Sequence, residues 1–293
     1  MKNIIIPCLG FLFFCLFISC EEEILDQEQY RNVLYLKSDG NNIFSYTHRM
    51  NDSITTGYIT VGTGGSLPLN EDIALDIVLD TSILNRYNFR NYGLDSAKYV
   101  QMIRPNLFAL PSEKIIIKKG DPNMTTFFPI EIDANLLSPD TTYMIPFRLQ
   151  NTANYEINEL KNFIFYKPEL ENEYSSPKLR TYRMKGIRTT SNNISSAMTL
   201  TKNILPLAYN RVRLYPDNLA PSTSVTDIQN KAIVLIIDKD HNIKIKPFKH
   251  VEVEADGENY YNSSQKTFHL NYRYKQAGQS TWIKVQETLT RVE

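Results

Sequence analysis

From Asn32 onward, apolar and polar residues alternate in short runs separated by turn residues, the spacing of an all-β sandwich or barrel. Asn32–Lys37 and Ile43–Thr47 flank Ser38-Asp39-Gly40-Asn41-Asn42, and the Asp-Gly pair inside it is a hairpin signal. Ile73, Leu75, Ile77 and Leu79 give one strongly apolar strand face, alternating with Ala74, Asp76 and Val78. Ile115–Lys118, Phe127–Asp133, Tyr143–Gln150 and Phe163–Tyr166 continue the series. Between Ser82 and Val100 the two-residue period fails, so a short helix or a long functional loop is expected there.

The segment from Lys167 to Pro177 is polar and bounded by prolines, which marks a domain boundary. The expected division is an N-terminal immunoglobulin-like β-sandwich over 31–167 and a C-terminal β-sandwich or small β-barrel over 178–293. In the second part Leu179–Ile187, Asn210–Tyr215, Lys231–Asp238, Ile243–Phe248 and Val251–Glu254 read as strands. Ala232–Ile237 is continuously apolar, as in a strand covered on both faces. Phe268–Lys275 and Thr281–Leu289 form a closing hairpin. Its parity sets Phe268, Leu270, Tyr272 and Tyr274 against Ile283, Val285 and Leu289 in the core.

Composition agrees. The 27 Asn supply turns, and 18 Tyr with 14 Phe favour pleated surfaces. A length of 293 residues suits two domains. The 32 basic and 32 acidic residues cancel, which argues against a nucleic-acid partner.

Lys2 and the apolar run Ile4–Ile18 describe a secretory signal peptide over 1–19. Phe17-Ile18-Ser19-Cys20 resembles a bacterial lipobox, which makes Cys20 the lipidation site and 20–30 an anchor linker. Phe17 departs from the usual Leu. Glu21-Glu22-Glu23 resembles a surface-export signal of Bacteroidetes lipoproteins. Cys8 and Cys15 fall in the removed segment, so the mature chain keeps one cysteine and no intrachain disulfide. Stable anchoring then needs more than one acyl chain.

Motifs for metalloproteases, serine hydrolases and phosphate-binding loops are missing from the sequence. His48, His241, His250 and His269 are scattered. Asp238-Lys-Asp-His-Asn242 imitates the start of a calcium loop, but Ile243 and Lys249 replace the Gly and Glu that such a loop needs. An ordinary turn is expected. No catalytic residue, cofactor or metal is assigned.

The binding hint comes from the closing hairpin. Parity puts Trp282 on the outer face with Asn271, Arg273 and Gln286, alongside Lys284 and His269. A sugar ring suits such a surface, because its C–H face lies on an aromatic ring while amides and guanidinium bond its hydroxyls. The alternative is a packing Trp beneath a loop. Tyr260 and Tyr261 offer a second stacking surface, although neighbours on a strand point to opposite faces, so one belongs to the core.

Leu110-Pro-Ser-Glu-Lys-Ile-Ile-Ile-Lys-Lys-Gly120, Ile130–Asp133 and Tyr143-Met-Ile-Pro-Phe-Arg148 resemble the N-terminal domain of a Bacteroidetes two-domain outer-membrane lipoprotein family. Phe268-His-Leu-Asn-Tyr-Arg-Tyr274 and Glu287-Thr-Leu-Thr-Arg291 resemble its usual second domain. The family is associated with polysaccharide-utilisation systems. The resemblance implies a lipid-anchored protein on the outer membrane, facing the cell exterior. It would bind a poly- or oligosaccharide without cleaving it, beside an outer-membrane importer and its associated lipoproteins. The first domain would then act mainly as a spacer. Two rivals stand beside this reading: a structural or adhesin subunit, and a glycoside hydrolase with an unrecognised carboxylate pair.

Overall fold

The computed structural model describes residues 30–51, 53–112, 114–151 and 155–292. The expected signal peptide, Cys20 and the linker up to residue 29 lie outside the described residues. Within them the chain is nearly all β, in two parts whose sheets curl like half-barrels. Among the described residues no helix is long and apolar enough to cross a membrane.

The first part is built from β1 (Val33–Leu36), β2 (Ile43–Arg49), β3 (Thr55–Thr63), β4 (Ile73–Leu79), β5 (Phe108–Ala109), β6 (Lys114–Ile117), β7 (Thr125–Ile132), β8 (Ile145–Asn151), β9 (Glu156–Ile157) and β10 (Phe163–Glu171). They form two sheets, β5-β7-β3-β1-β9 and β2-β10-β8-β4-β6. Pairing is antiparallel except for β10 on β2 and β9 on β1. Leu75, Ile77, Ile115, Ile117, Phe128, Ile130, Phe147 and Ile164 fill the space between the sheets, as the two-residue period requires.

One polar pair is buried with them. The His48 ring nitrogens lie 2.8 Å from Thr55 Oγ1 and 2.6 Å from Tyr166 Oη. Burial lowers the His48 pKa to about 4, since the charged imidazolium would lose its water. Gly57 on β3 makes room for this pair: a Cβ there would stand 1.8 Å from Tyr166 Oη.

The second part contains β11 (Thr181–Thr189), β12 (Ser195–Asn203), β13 (Leu205–Ala208), β14 (Arg211–Leu214), β15 (Ile233–Ile237), β16 (Ile243–Pro247), β17 (Glu252–Ala255), β18 (Tyr260–Asn262), β19 (Thr267–Lys275) and β20 (Ile283–Arg291). One sheet runs β12-β11-β20-β19-β17 with β18 also on β19, and the other runs β13-β14-β15-β16. Two separate sheets over one core make this a sandwich, where the sequence had left a closed barrel open. Ile233, Leu235 and Ile237 of β15 face the core and Val234 is buried on the other face, while Ile236 is partly exposed; a short helix (Val225–Lys231) packs Ile228 with Tyr215, Ala232 and Phe248.

The apolar face of the closing hairpin also carries a carboxylate that the alternating pattern conceals. Glu287 is buried, with its Oε2 2.5 Å from Lys202 Nζ, and its Oε1 accepts from Tyr272 Oη at 2.9 Å. The same hydroxyl accepts from the Asp217 amide, and Asp217 Oδ2 accepts from Tyr274 Oη and meets Arg188. Burial pushes the Glu287 carboxyl up, and Lys202 and Tyr272 pull it back. Glu287 links strands of one sheet, Asp217 ties the loop after β14 to that sheet, and both carboxylates are buried.

The polar segment between the parts is a clamp. Asn172 Nδ2 donates to the carbonyls of Ala208 and Arg211, and its Oδ1 accepts from the amides of Tyr174 and Ser175. Ser175 Oγ donates to Ile204 O at 2.5 Å. Across the seam both Nη atoms of buried Arg213 meet the two carboxylate oxygens of Asp140. β10 runs past Lys167 to Glu171, paired with β2 throughout.

Candidate saccharide-binding groove

The stretch 82–100, where the strand pattern fails, contains helix α1 (Thr81–Tyr92). Asp80 caps it by accepting from Ser82 N at 3.1 Å and Ser82 Oγ at 2.6 Å. Its second oxygen takes Arg148 Nε at 2.6 Å, tying the helix start to β8. These bonds hold the Asp80 carboxyl below its ordinary range, the Ser82 bond contributing most. Ile83 and Leu84 dock the helix against Val100, Met144 and Phe165. Asn88 is buried and exchanges two 2.9 Å bonds with the backbone of Val100, fixing the chain's return.

Docking α1 on the β2-β10-β8 sheet leaves a groove of about 760 Å³ between the helix, the 40–43 turn and the 159–165 segment. Tyr87 and Phe163 stand in it, both packed on Phe165 with ring centroids at 5.0 and 5.7 Å. Burial raises the Tyr87 phenol pKa, so it remains a hydrogen-bonding hydroxyl at neutral pH. Arg86, Arg90, Asn91, Arg148, Asn162, Asn41 and Glu159 supply polar groups around the rings. The two loops flanking the groove are cross-tied, since Lys161 Nζ donates to Ser38 Oγ at 3.2 Å and to the Asp39 carbonyl. Aromatic faces with convergent amides and guanidinium groups, on a scaffold already rigid, suit a polyhydroxylated ligand.

The residues singled out from the sequence lie elsewhere, on the outer face of the β12-β11-β20-β19-β17 sheet. Trp282 immediately precedes β20 and is half-buried, with Arg273 Cζ at 4.7 Å and Lys275 Nζ at 4.8 Å from its ring centroid. Those two cations are in turn bonded to Glu254 and Glu252. The indole thus already has cationic partners at its π system. Asn271 Nδ2 donates to Glu258 O at 2.6 Å, and its amide to Asn259 Oδ1. Gln286 stands opposite Asn271 and is exposed.

The tyrosine pair divides. Tyr260 is exposed and stacks on His269 at 4.5 Å, whereas Tyr261 is buried against Tyr174 and Phe268 and touches no ligand surface. Tyr261 as a binding residue is therefore corrected: β18 alternation sends it inward. The Asp238–Asn242 segment is a turn between β15 and β16, whose Asp238 Oδ1 accepts from the amides of Asp240 and Asn242 at 2.9 Å. Among the described residues no group of three or more His, Cys, Asp or Glu side chains is placed to hold a metal ion.

Sequence reasoning placed no binding residue in the groove. The failed strand period over 82–100 marked the region, but nothing local links it to the 40–43 turn or to Phe163.

One family model, for the N-terminal domain of a two-domain family, matches residues 30–156, and its C-terminal companion matches 162–290. The two matches lie side by side along the chain and together support a two-domain family. The family's division at about 160 assigns β10 to the second domain, whereas β10 completes a sheet of the first. No curated protein matches the chain. Among solved structures, a Bacteroides ovatus protein of unknown function aligns with TM-score 0.66 at 15% identity, over 88% of this chain and 94% of its own. A multidomain Bacteroides ovatus protein aligns with TM-score 0.64 at 14% identity, over 89% and 94%. An auxiliary nutrient binding protein from Bacteroides thetaiotaomicron aligns with TM-score 0.57 at 12% identity, over 87% and 92%. At these identities the likeness concerns the fold.

Proposed function

We propose that this chain is a lipid-anchored glycan-binding protein of the outer cell surface, which holds a saccharide in the α1 groove and does not cleave it. The observation that carries the reading is the groove itself: Tyr87 and Phe163 beside Arg86, Arg90, Asn91 and Asn162 on a cross-tied scaffold. The nutrient-binding description of one structural relative supports the same class of function. The paired, buried state of Glu287 and Asp217 gives no opening for hydrolysis at those carboxylates. Captured glycan would pass to an outer-membrane importer and its associated lipoproteins, with Cys20 anchoring the chain. Single-site affinity is weak, since hydroxyls must surrender water, and many copies on one surface supply avidity.

The test is an affinity-gel and glycan-array screen of residues 21–293, which keep both domains, beside Tyr87→Ala and Trp282→Ala. Binding lost in Tyr87→Ala with folding intact by circular dichroism is the expected result. Loss only in Trp282→Ala would move the site to the second domain. Retention of no polysaccharide at all would sink the glycan reading in favour of a structural or adhesin role.

A further inference from the structure

Helix α1 contains no Asp or Glu, yet it sets Arg86 and Arg90 four residues apart on the groove side. At that spacing like charges are neighbours and weaken the helix. Arg90 recovers some of this at the helix C-terminus, but Arg86, in mid-helix, does not. Some cations elsewhere are paired, such as Lys118 with Asp72, Arg148 with Asp80, Arg213 with Asp140, Arg273 with Glu254 and Lys275 with Glu252. Among the described residues no ion pair includes Arg86 or Arg90. In a chain whose net charge is zero, two exposed guanidinium groups outside any ion pair line this one groove beside Tyr87 and Phe163. The remaining charges on its lining are Arg148, already neutralised by Asp80, and a single exposed Glu159.

We infer that the α1 groove selects a saccharide bearing carboxylate or sulfate groups, with Arg86 and Arg90 reading the negative charge while Tyr87 and Phe163 hold the ring. This rests on the glycan-binding reading above. Guanidinium forks match a carboxylate or sulfate with two parallel N–H donors, which a neutral hydroxyl cannot equal. The i, i+4 spacing lets the two forks engage one acidic sugar or two successive ones. Glu159 on the opposite wall accepts from hydroxyls and repels a ligand threaded with its charge reversed.

The probes are polygalacturonate, its carboxyl-reduced neutral form, chondroitin sulfate and a neutral galactan, titrated against residues 21–293 at low and high salt. The variants are the Arg86→Gln/Arg90→Gln pair and Tyr87→Ala, each checked by circular dichroism. Wild type is expected to prefer at least one anionic probe over the neutral ones by roughly tenfold or more at low salt. That preference should shrink with salt and vanish in the double variant. If neutral probes bind equally well and only Tyr87→Ala abolishes binding, the anionic class falls and the glycan groove stands. If the double variant keeps an anionic preference, charge is read elsewhere and the inference is overturned. Binding of no probe, charged or neutral, overturns the inference together with the glycan reading.

Discussion

His48 and Gly186 each make a sharp case for what one position decides. His48 is fully buried, and its folded pKa of about 4 lies below the ordinary 6.5. The unfolded chain therefore takes up a proton first as pH falls. The stability that neutral His48 contributes is complete above about pH 6.5 and is lost progressively down to about pH 4. A depression of this size corresponds to roughly 3 kcal/mol. Urea unfolding at pH 7 and pH 4 should show wild type losing about that much more than His48→Gln, which keeps polar contacts without titrating here. Gly186 lies on β11 against Glu287, where a Cβ would stand 2.5 Å from Gln286 O and 2.9 Å from Glu287 Cβ. The nearest obstacle is backbone, so Gly186→Ala should cost about 1–3 kcal/mol in denaturant unfolding. A variant as stable as wild type would mean that the sheet relaxes freely there.

At the scale of elements, α1 depends on its cap more than on its composition. Asn, Tyr and Phe are indifferent helix formers, and the helix is short. Asp80 joins its first turn to Arg148 on β8, and Asn88 joins its middle to Val100. Asp80→Ala removes the cap and leaves Arg148 without its ion pair, for a loss of about 1–2 kcal/mol. Hydrogen exchange should then quicken across 82–92 while the β-sheet amides stay protected. Glycan affinity should drop in the same variant, because Arg86 and Tyr87 ride on that helix. The closing hairpin behaves oppositely: nine-residue strands paired along their length need no such cap.

Across the whole molecule the two sandwiches are joined by buried polar bonds instead of a free linker. Arg213 is almost wholly buried and its charge is met by Asp140 from the other domain. Removing that partner strands a buried cation, so Asp140→Asn should lower stability by about 2–4 kcal/mol. Calorimetry would read the change, and an unaltered profile would show that the seam carries no energy. The first domain, expected to serve as a spacer, holds the α1 groove, so the clamp at Asn172 sets the direction in which that groove faces relative to the second domain.

The alternation of apolar residues determined by itself that this chain is all-β and that Phe268–Tyr274 meets Ile283–Leu289 in the core, while the apolar run Ala232–Ile237 is buried except at Ile236. Those features are local, because a period of two residues fixes which side chains share a face. The groove is not. Its walls come from 40–43, 83–91, 148 and 159–165, and only the parallel pairing of β10 with β2 brings the ends of that span together. Likewise Glu287, on the apolar face of β20, is neutralised by Lys202, 85 positions away. Period reveals which face a residue takes, whereas partners distant in sequence are chosen by packing, and in this protein packing decided where the candidate binding chemistry converges.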